Sequence, residues 1–169
     1  RVPHFEKMLY DQAQIVSALV DAYLITKDSF YANIIRETLD YVLRDMTDTE
    51  GGFYSAEDAD SPFPGAMDEA SEGAFYVWTK NELDQALGDD AKCFEFHFGV
   101  EETGNALNDP QQEFVGRNIL YVANSISETA NFSRQHENEV ATSLERSKKI
   151  LFRLRAQRPR PHRDDKIIA

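Results

Sequence analysis

Apolar residues recur at helical spacing in the first part of the chain. They fall on one face of a first helix, at Phe5, Met8, Leu9, Ile15, Val16, Leu19 and Tyr23. The same spacing continues after a polar turn at 27–29, at Phe30, Ile34, Ile35, Leu39, Val42, Leu43 and Met46. The short connection predicts an antiparallel αα-hairpin, and a hairpin with two broad apolar faces cannot bury both of them alone.

Turn residues and aromatic residues replace this pattern after Met46. The stretch GGFYSAEDADSPFPGAMDEASEGAFYVWT predicts two short aromatic strands, at 52–55 and 74–79, joined by a long loop. Pro62, Pro64 and Gly65 make that loop irregular. The later stretch NILYVAN predicts a further short strand at 118–124.

Helix-start patterns return in the second half of the chain. Thr79 with Glu82 forms a capping box that opens a short helix ending at Leu87 and Gly88, and Ser125 with Glu128 forms a second one. Further helices are predicted at 90–98 and from His136 onward, the latter with an apolar stripe at Val140, Leu144, Leu151 and Leu154. The fold class is therefore mainly α, with helical hairpins and a short β-hairpin excursion.

Composition and charge limit the classes of function. The 169 residues suit one domain, and the 41% hydrophobic content is too high for a disordered segment. A net charge of −12 argues against a nucleic-acid partner. The single cysteine, Cys93, excludes an internal disulfide, and neither a membrane-spanning run nor a signal-peptide pattern is present. We therefore expect a soluble, cytoplasmic protein without a membrane partner. A start at Arg1 and an end just after two isoleucines suggest a piece of a longer chain.

Three carboxylates follow the GGFYS opening, at Glu57, Asp58 and Asp60. An EF-hand calcium loop is excluded, because Pro62 and Phe63 occupy its fifth and sixth positions. A pair of carboxylates can act as general acid and base, or as nucleophile and acid at a glycosidic bond. The alternative is a solvated loop whose aspartates cap local turns.

Other candidate residues lie near the two ends of the chain. His4 precedes the first helix, where it can project into a cleft or cap the helix end, and Lys7 with Asp11 is interpreted as a surface ion pair. The late stretch RPRPHRDDKII presents His162, Asp164 and Asp165, either at a cleft or in a solvated linker. Trp78 and the neighbouring aromatics can stack on a sugar or form core. With four histidines and no paired metal-ligand motif, we expect no metal site and no cofactor.

Four motifs resemble one known family in order and interval: VPHFEKMLYDQAQ, GGFYSAEDADS, EGAFYVWT and RPRPHRDDKII. The chain is similar to thioredoxin-domain-containing proteins of the spermatogenesis-associated type. The resemblance implies an upstream thioredoxin-like domain followed by a six-hairpin glycosidase-like helical domain, an (α/α) toroid that is also found in sugar epimerases. The whole chain, 1–169, would be one partial toroid domain, with the thioredoxin-like domain and further helices outside it. Arg163 departs from the family pattern, which has an apolar residue there.

The resemblance also supplies two hypotheses of function. In such toroids, loops converge on a sugar pocket, so Asp58, Asp60 and His4 become catalytic candidates, and the implied ligand-binding candidates are Glu57, Trp78, His162, Asp164 and Asp165. The full-length protein would then be glycosidase-like or epimerase-like, while an incomplete toroid would be inactive because water enters its pocket. In the second hypothesis, the helical region is a non-catalytic scaffold that presents a client to the thioredoxin-like domain. An incomplete toroid would also self-associate through its apolar edge.

Overall fold

The computed structural model describes residues 2–63, 66–106, 113–164 and 166–168, and this part of the chain is mainly helical. Its elements follow in the order β1 (Lys7–Met8), α1 (Leu9–Thr26), α2 (Ser29–Asp45), β2 (Phe53–Tyr54), β3 (Ala56–Glu57), β4 (Asp60–Phe63), β5 (Ala66–Glu72), α3 (Lys80–Leu87), α4 (Ala91–His97), α5 (Ile126–Ser133), α6 (Glu137–Arg155) and β6 (Ile167–Ile168). A single 3-10 turn, Gly88–Asp90, joins α3 to α4. The predicted mainly helical class is confirmed, whereas the toroid stays a prediction.

The chain divides into two compact units. One consists of His4–Ser61 and Pro161–Ala169 and is called the α1–α2 unit here. The other consists of Arg1–Pro3 and Pro62–Arg160 and is called the α3–α6 unit. That residues 1–169 form one partial toroid domain stays a prediction.

Helices α1 and α2 form the predicted hairpin. Lys27 ends α1 in the left-handed conformation, with φ +58°, and its backbone N–H donates to the carbonyl of Tyr23. The Asp28 carboxylate then accepts a hydrogen bond of 2.9 Å from the backbone N–H of Phe30 and caps α2. The first helix begins at Leu9, because the preceding residues Lys7 and Met8 pair as a strand.

In the described part of the chain, the strands are short and pair in three two-stranded sheets. β1 runs antiparallel to β3, with Lys7 opposite Glu57, and β2 runs antiparallel to β6, with Tyr54 opposite Ile167. β4 pairs with β5, which follows it in the chain. A strand within 52–55 is thus confirmed as β2. The prediction of one long loop after it was wrong, since β3, β4 and β5 lie there. The predicted irregularity at Pro64 and Gly65 lies outside the described residues.

Two other strand predictions were wrong. Residues 74–79 begin in a turn, in which the N–H groups of Tyr76 and Val77 both donate to the carbonyl of Gly73. Phe75 is buried within that turn and Trp78 is buried just after it, so the aromatic alternation did not indicate a strand. Residues 118–124 form only an isolated bridge, in which Trp78 and Asn118 exchange backbone hydrogen bonds of 3.1 and 2.6 Å. The next backbone N–H, that of Ile119, donates to the Asn105 side chain instead of to a strand.

The α3–α6 unit has a contiguous apolar core. Both predicted capping boxes are confirmed, since Thr79 with Glu82 opens α3 and Ser125 with Glu128 opens α5. Leu154 is 38% exposed, which differs from its predicted place in the apolar stripe of α6. The core consists of Trp78, Leu83, Leu87, Ala91, Cys93, Phe94, Phe98, Ala130, Val140, Leu144 and Leu151. Within the described ranges, none of the helices is long and apolar enough to cross a bilayer.

Candidate functional site

The GGFYSAEDADS stretch folds through a tight turn between α2 and β2. Gly51 and Gly52 adopt φ values of +91° and +81°, which side chains with a Cβ disfavour. The hydroxyl of Tyr54 donates to Asp48 at 2.6 Å, and the Asp48 carboxylate also accepts the N–H of Glu50. The tyrosine hydroxyl and the backbone N–H groups hold the pKa of Asp48 below its usual value, and the same bond raises the pKa of Tyr54. The acidic stretch therefore begins from a fixed turn.

Glu57 is fully buried in the α1–α2 unit, with 0% of its surface exposed. Its Oε1 lies 3.6 Å from the Nζ of Lys7, its antiparallel register partner. The Lys7 ammonium also donates to the carbonyl of Phe5 at 2.6 Å. The interpretation of Lys7 as a surface partner of Asp11 was wrong, because Lys7 lies in β1 and turns toward Glu57. A buried carboxylate needs such a partner, since removal of either charge leaves the other desolvated.

The late segment of the chain pairs with the acidic stretch. The N–H of Asp58 donates to the carbonyl of His162 at 2.8 Å, and the N–H of Asp164 donates to the carbonyl of Ala56 at 3.0 Å. Arg163, between them, forms an antiparallel bridge with Glu57. The acidic stretch and the late segment therefore meet through their backbones, at residues 56–58 and 162–164.

Side chains reinforce this pairing. The Ser55 hydroxyl donates to the Asp164 carboxylate at 2.7 Å, and the Lys166 N–H donates to the same carboxylate. These two donors lower the pKa of Asp164. The Arg163 guanidinium donates to the carbonyl of Asp45 at 3.1 Å and lies 4.7 Å from the centre of the Tyr54 ring. Arg163, which departs from the resembled family pattern, thus has polar and aromatic contacts in place of apolar packing.

The three catalytic candidates are all exposed. Asp58 and Asp60 lie on the surface, and within the described ranges their carboxylates have neither a hydrogen bond nor an ion pair. His4 is exposed as well, with its Nε2 3.3 Å from the Glu6 carboxylate. Together with His162 and Asp164, Asp58 and Asp60 are called the acidic patch below. Asp165 lies outside the described residues.

Trp78 belongs to the α3–α6 unit and is 4% exposed. The guanidinium carbon of Arg158 lies 3.8 Å from the centre of its ring, and Arg158 donates to the carbonyls of Phe75 and Val77. Contact of a sugar with this ring face would require the guanidinium to move. A ligand-binding role for Trp78 stays a prediction.

Sequence reasoning missed the residues that hold the acidic stretch in place, which are Lys7, Ser55 and Arg163. No local signal identifies Ser55 as a partner of Asp164, because the two residues are 109 positions apart. Lys7 also lacked a local signal, because the apolar spacing extends the predicted first helix back to Phe5 and so includes Lys7 in it. Among the described residues, no group of three or more His, Cys, Asp and Glu side chains is placed to hold a metal ion.

Comparisons with known proteins show similarity over nearly the whole chain. It is 41% identical to spermatogenesis-associated protein 20 of Homo sapiens, over 99% of the chain and 23% of that relative. The protein of the same name from Mus musculus is 39% identical, and an uncharacterized protein of Caenorhabditis elegans is 35% identical. The chain spans about a quarter of the length of these relatives. No protein-family model matches it.

Proposed function

We propose that the acidic patch forms part of a pocket for a carbohydrate-type ligand in the full-length protein. The relatives described above support a place for the chain in the spermatogenesis-associated protein 20 family. The observation that supports this proposal is the backbone pairing of Asp58 with His162 and of Asp164 with Ala56. This pairing joins the backbone of the acidic stretch to the backbone of the segment that contains His162 and Asp164, which is distant along the chain.

The chemistry of the patch suits a polyhydroxylated ligand. Ionised carboxylates only accept hydrogen bonds, and neighbouring sugar hydroxyls supply donors for them. Asp58 and Asp60 are available for this role because they are exposed and are held by no cation in the described part of the chain. The resemblance to toroid enzymes adds a catalytic role, in which Asp58 or Asp60 acts as acid, base or nucleophile and His4 or His162 moves the proton.

Glu57 has a different role in this proposal. Because it is buried against Lys7, it positions the β3 backbone rather than touching the ligand. Its own negative charge is matched by the lysine. The carboxylates that face solvent are therefore the neighbouring residues in the chain, Asp58 and Asp60.

The test uses the full-length protein with D-glucose, N-acetyl-D-glucosamine and cellobiose as probes. Ligand-observed NMR would measure binding, and chromatography would measure hydrolysis or epimerisation. We expect Asp58→Asn and Asp60→Asn to weaken binding and to abolish any turnover, whereas Asp40→Asn, an exposed site on α2 with the same charge change, has no effect. Turnover that survives both patch variants would refute the assigned catalytic roles, and the lack of binding by every probe would refute the carbohydrate pocket.

A second candidate function is a non-catalytic scaffold that presents a client to the thioredoxin-like domain implied by the resemblance. Two acidic residues favour this candidate, because their contacts lie within the protein. Glu57 is paired with Lys7, and Asp164 accepts a hydrogen bond from Ser55. Here the probe is an unfolded protein, reduced and carboxymethylated α-lactalbumin, added to the full-length protein. Binding that is unchanged in Asp58→Asn, without turnover of any sugar, would support the scaffold over the pocket.

A further inference from the structure

Cationic residues are unevenly distributed along this acidic chain. Residues 146–163 contain eight of the 18 lysines and arginines and no aspartate or glutamate, whereas the whole chain has a net charge of −12. This segment comprises the second half of α6 and the residues that follow it. A local excess of positive charge attracts groups of negative charge. The segment is therefore a candidate contact surface for an acidic partner.

Most of these cations already have contacts within the protein. Arg146 donates to the Asp90 carboxylate through Nε and Nη2, at 2.8 and 2.7 Å. Lys148 donates to the Glu145 carboxylate at 2.9 Å. Farther along the chain, four guanidiniums lie over aromatic rings, those of Arg155, Arg158, Arg160 and Arg163. Internal contacts of these kinds explain why such cations are present.

Lys149 and Arg153 differ from the others. Both are exposed, and within the described ranges neither has a hydrogen bond or an ion pair. They are four positions apart on α6, a spacing at which like charges destabilise a helix. Glu145, four residues before Lys149, pairs with Lys148 instead. The helix dipole favours cations in the last turn, which contains Arg153 but not Lys149. The stability of α6 therefore does not account for Lys149.

An open cleft follows the same side of α6. Its volume of about 620 Å³ lies within the range of ligand-binding pockets. It is lined by the three cations Arg146, Lys149 and Arg153, by the apolar Ile150, and by Glu145 and Thr142, and this surface is called the basic cleft below. From Thr142 to Arg153 it extends over about 17 Å, at the helical rise of about 1.5 Å per residue. The basic cleft is therefore long enough for an elongated ligand.

The spacing of the cations indicates the kind of ligand. Arg146, Lys149 and Arg153 are three and four positions apart, which is the repeat of residues on one face of a helix. A second helix along the cleft presents its own side chains at the same repeat, so its carboxylates can meet these cations. An apolar side chain between the carboxylates can pack on Ile150, which is half-buried. A nucleic acid fits less well, because the net charge of −12 repels its dense phosphates.

We propose that the basic cleft binds an acidic amphipathic helix of a partner protein. The carboxylates of that helix pair with Lys149 and Arg153, and an apolar side chain between them packs on Ile150. Arg146 adds positive charge to the cleft while it stays bound to Asp90. Binding removes the repulsion between Lys149 and Arg153. Because the ion pairs form at an exposed surface, added salt weakens the complex.

The test is fluorescence anisotropy with the full-length protein and a labelled synthetic helix as the probe. The probe is an alanine-based peptide of about 18 residues, since shorter isolated helices are marginal in water. Its glutamates and leucines lie on one face, at spacings of three and four. The control peptide has the same composition in an order that distributes the glutamates around the helix. We expect the ordered probe to bind at least about tenfold more tightly than the control, and more weakly as salt increases.

Equal affinity for the two peptides would overturn the proposal, because it would indicate charge attraction without a defined site. Lack of binding of the ordered probe at about 1 mM, a concentration that detects even weak complexes, would also overturn it. Tighter binding of a single-stranded oligonucleotide than of the probe would overturn it in favour of a nucleic-acid site.

Matched charge-reversal variants of the full-length protein locate the binding site. Lys149→Glu combined with Arg153→Glu should weaken binding of the ordered probe at least about tenfold. Arg36→Glu combined with Lys92→Glu changes the net charge equally, at exposed positions of α2 and α4, and should leave the affinity within about twofold. Equal weakening by both pairs would contradict the proposal. Self-association that only the first pair abolishes would also contradict it, because a second copy would then occupy the cleft. No sugar is used, so this proposal stands or fails separately from the proposed function.

Discussion

The two units differ in how they are held together. The α3–α6 unit buries a continuous cluster of aliphatic and aromatic side chains that includes Leu83, Phe94 and Val140. The α1–α2 unit buries few, chiefly Phe5, Val42 and Met46, and relies on backbone pairing between short strands. Because apolar burial is the dominant favourable contribution to folding, the α3–α6 unit gains more stability from its core than the α1–α2 unit does.

The largest expected effect is on the core of the α3–α6 unit. Leu83→Ala removes a side chain that is 0% exposed and should reduce the free energy of unfolding by about 2–5 kcal/mol. The same truncation at Leu24, which is 57% exposed, should change it by less than about 0.5 kcal/mol in the 169-residue chain. Urea denaturation followed by the fluorescence of Trp78, the single tryptophan, measures the first effect, and circular dichroism measures the second. Equal losses at the two sites would contradict the contrast between the units.

A smaller effect is expected from the buried carboxylate of the α1–α2 unit. Glu57→Gln removes the buried carboxylate charge opposite Lys7 and should cost about 1–3 kcal/mol. Glu50→Gln, at an exposed position of the preceding turn, is the matched control and should be nearly neutral. Denaturation monitored by far-ultraviolet circular dichroism compares them. A neutral Glu57→Gln would mean that the ion pair does not stabilise the unit.

Acid should destabilise the α3–α6 unit through His97. Burial lowers the pKa of this histidine from its ordinary 6.5. Below pH 6.5, His97 therefore binds a proton in the unfolded chain more readily than in the folded chain. The free energy of unfolding has its full value above pH 6.5 and decreases as the pH falls toward the folded-state pKa. His97→Gln should flatten this part of the stability profile, whereas His162→Gln, at an exposed position of the other unit, should not. Trp78 fluorescence during denaturation at several pH values is the measurement. An unchanged profile in His97→Gln would show that another group is responsible.

The smallest effects concern the acidic patch. Asp58→Asn and Asp60→Asn each remove an exposed charge from a chain of net charge −12. Each should raise the melting temperature slightly, by the equivalent of less than about 0.5 kcal/mol, because the change removes one negative charge from an acidic chain and so reduces its self-repulsion. Differential scanning calorimetry detects such shifts. A decrease in both variants would indicate structural aspartates and would favour the scaffold hypothesis.

Much of the helical framework could be predicted from short-range patterns. The capping boxes at Thr79 and Ser125 identified the starts of α3 and α5, because a cap is a contact between residues three apart. The strand prediction at 74–79 failed for the opposite reason. A strand needs a partner, and the single bridge from Trp78 to Asn118 could not be derived from aromatic alternation.

The acidic stretch shows the same limit at the candidate site. Its carboxylates were visible in the sequence, yet Glu57 is buried and Asp58 exposed because these successive residues lie on opposite sides of the extended segment that forms β3 and continues to Asp58. That face is set by the pairing with Lys7 and with the segment around Arg163. Lys7 lies in a strand that was not predicted, and Arg163 is distant along the chain. Local spacing could therefore identify neither partner.

The pairing of residues 55 and 164 also affects the order of folding. The α1–α2 unit is discontinuous in sequence, since Pro161–Ala169 completes a unit begun by His4–Ser61. Contacts over such long separations carry a large loop-closure entropy and form slowly. Once Pro62–Arg160 has folded, however, the distance between its two ends is fixed and the effective loop becomes short. During synthesis, the α3–α6 unit would fold first, and β2 would pair with β6 only after residues 161–168 have left the ribosome.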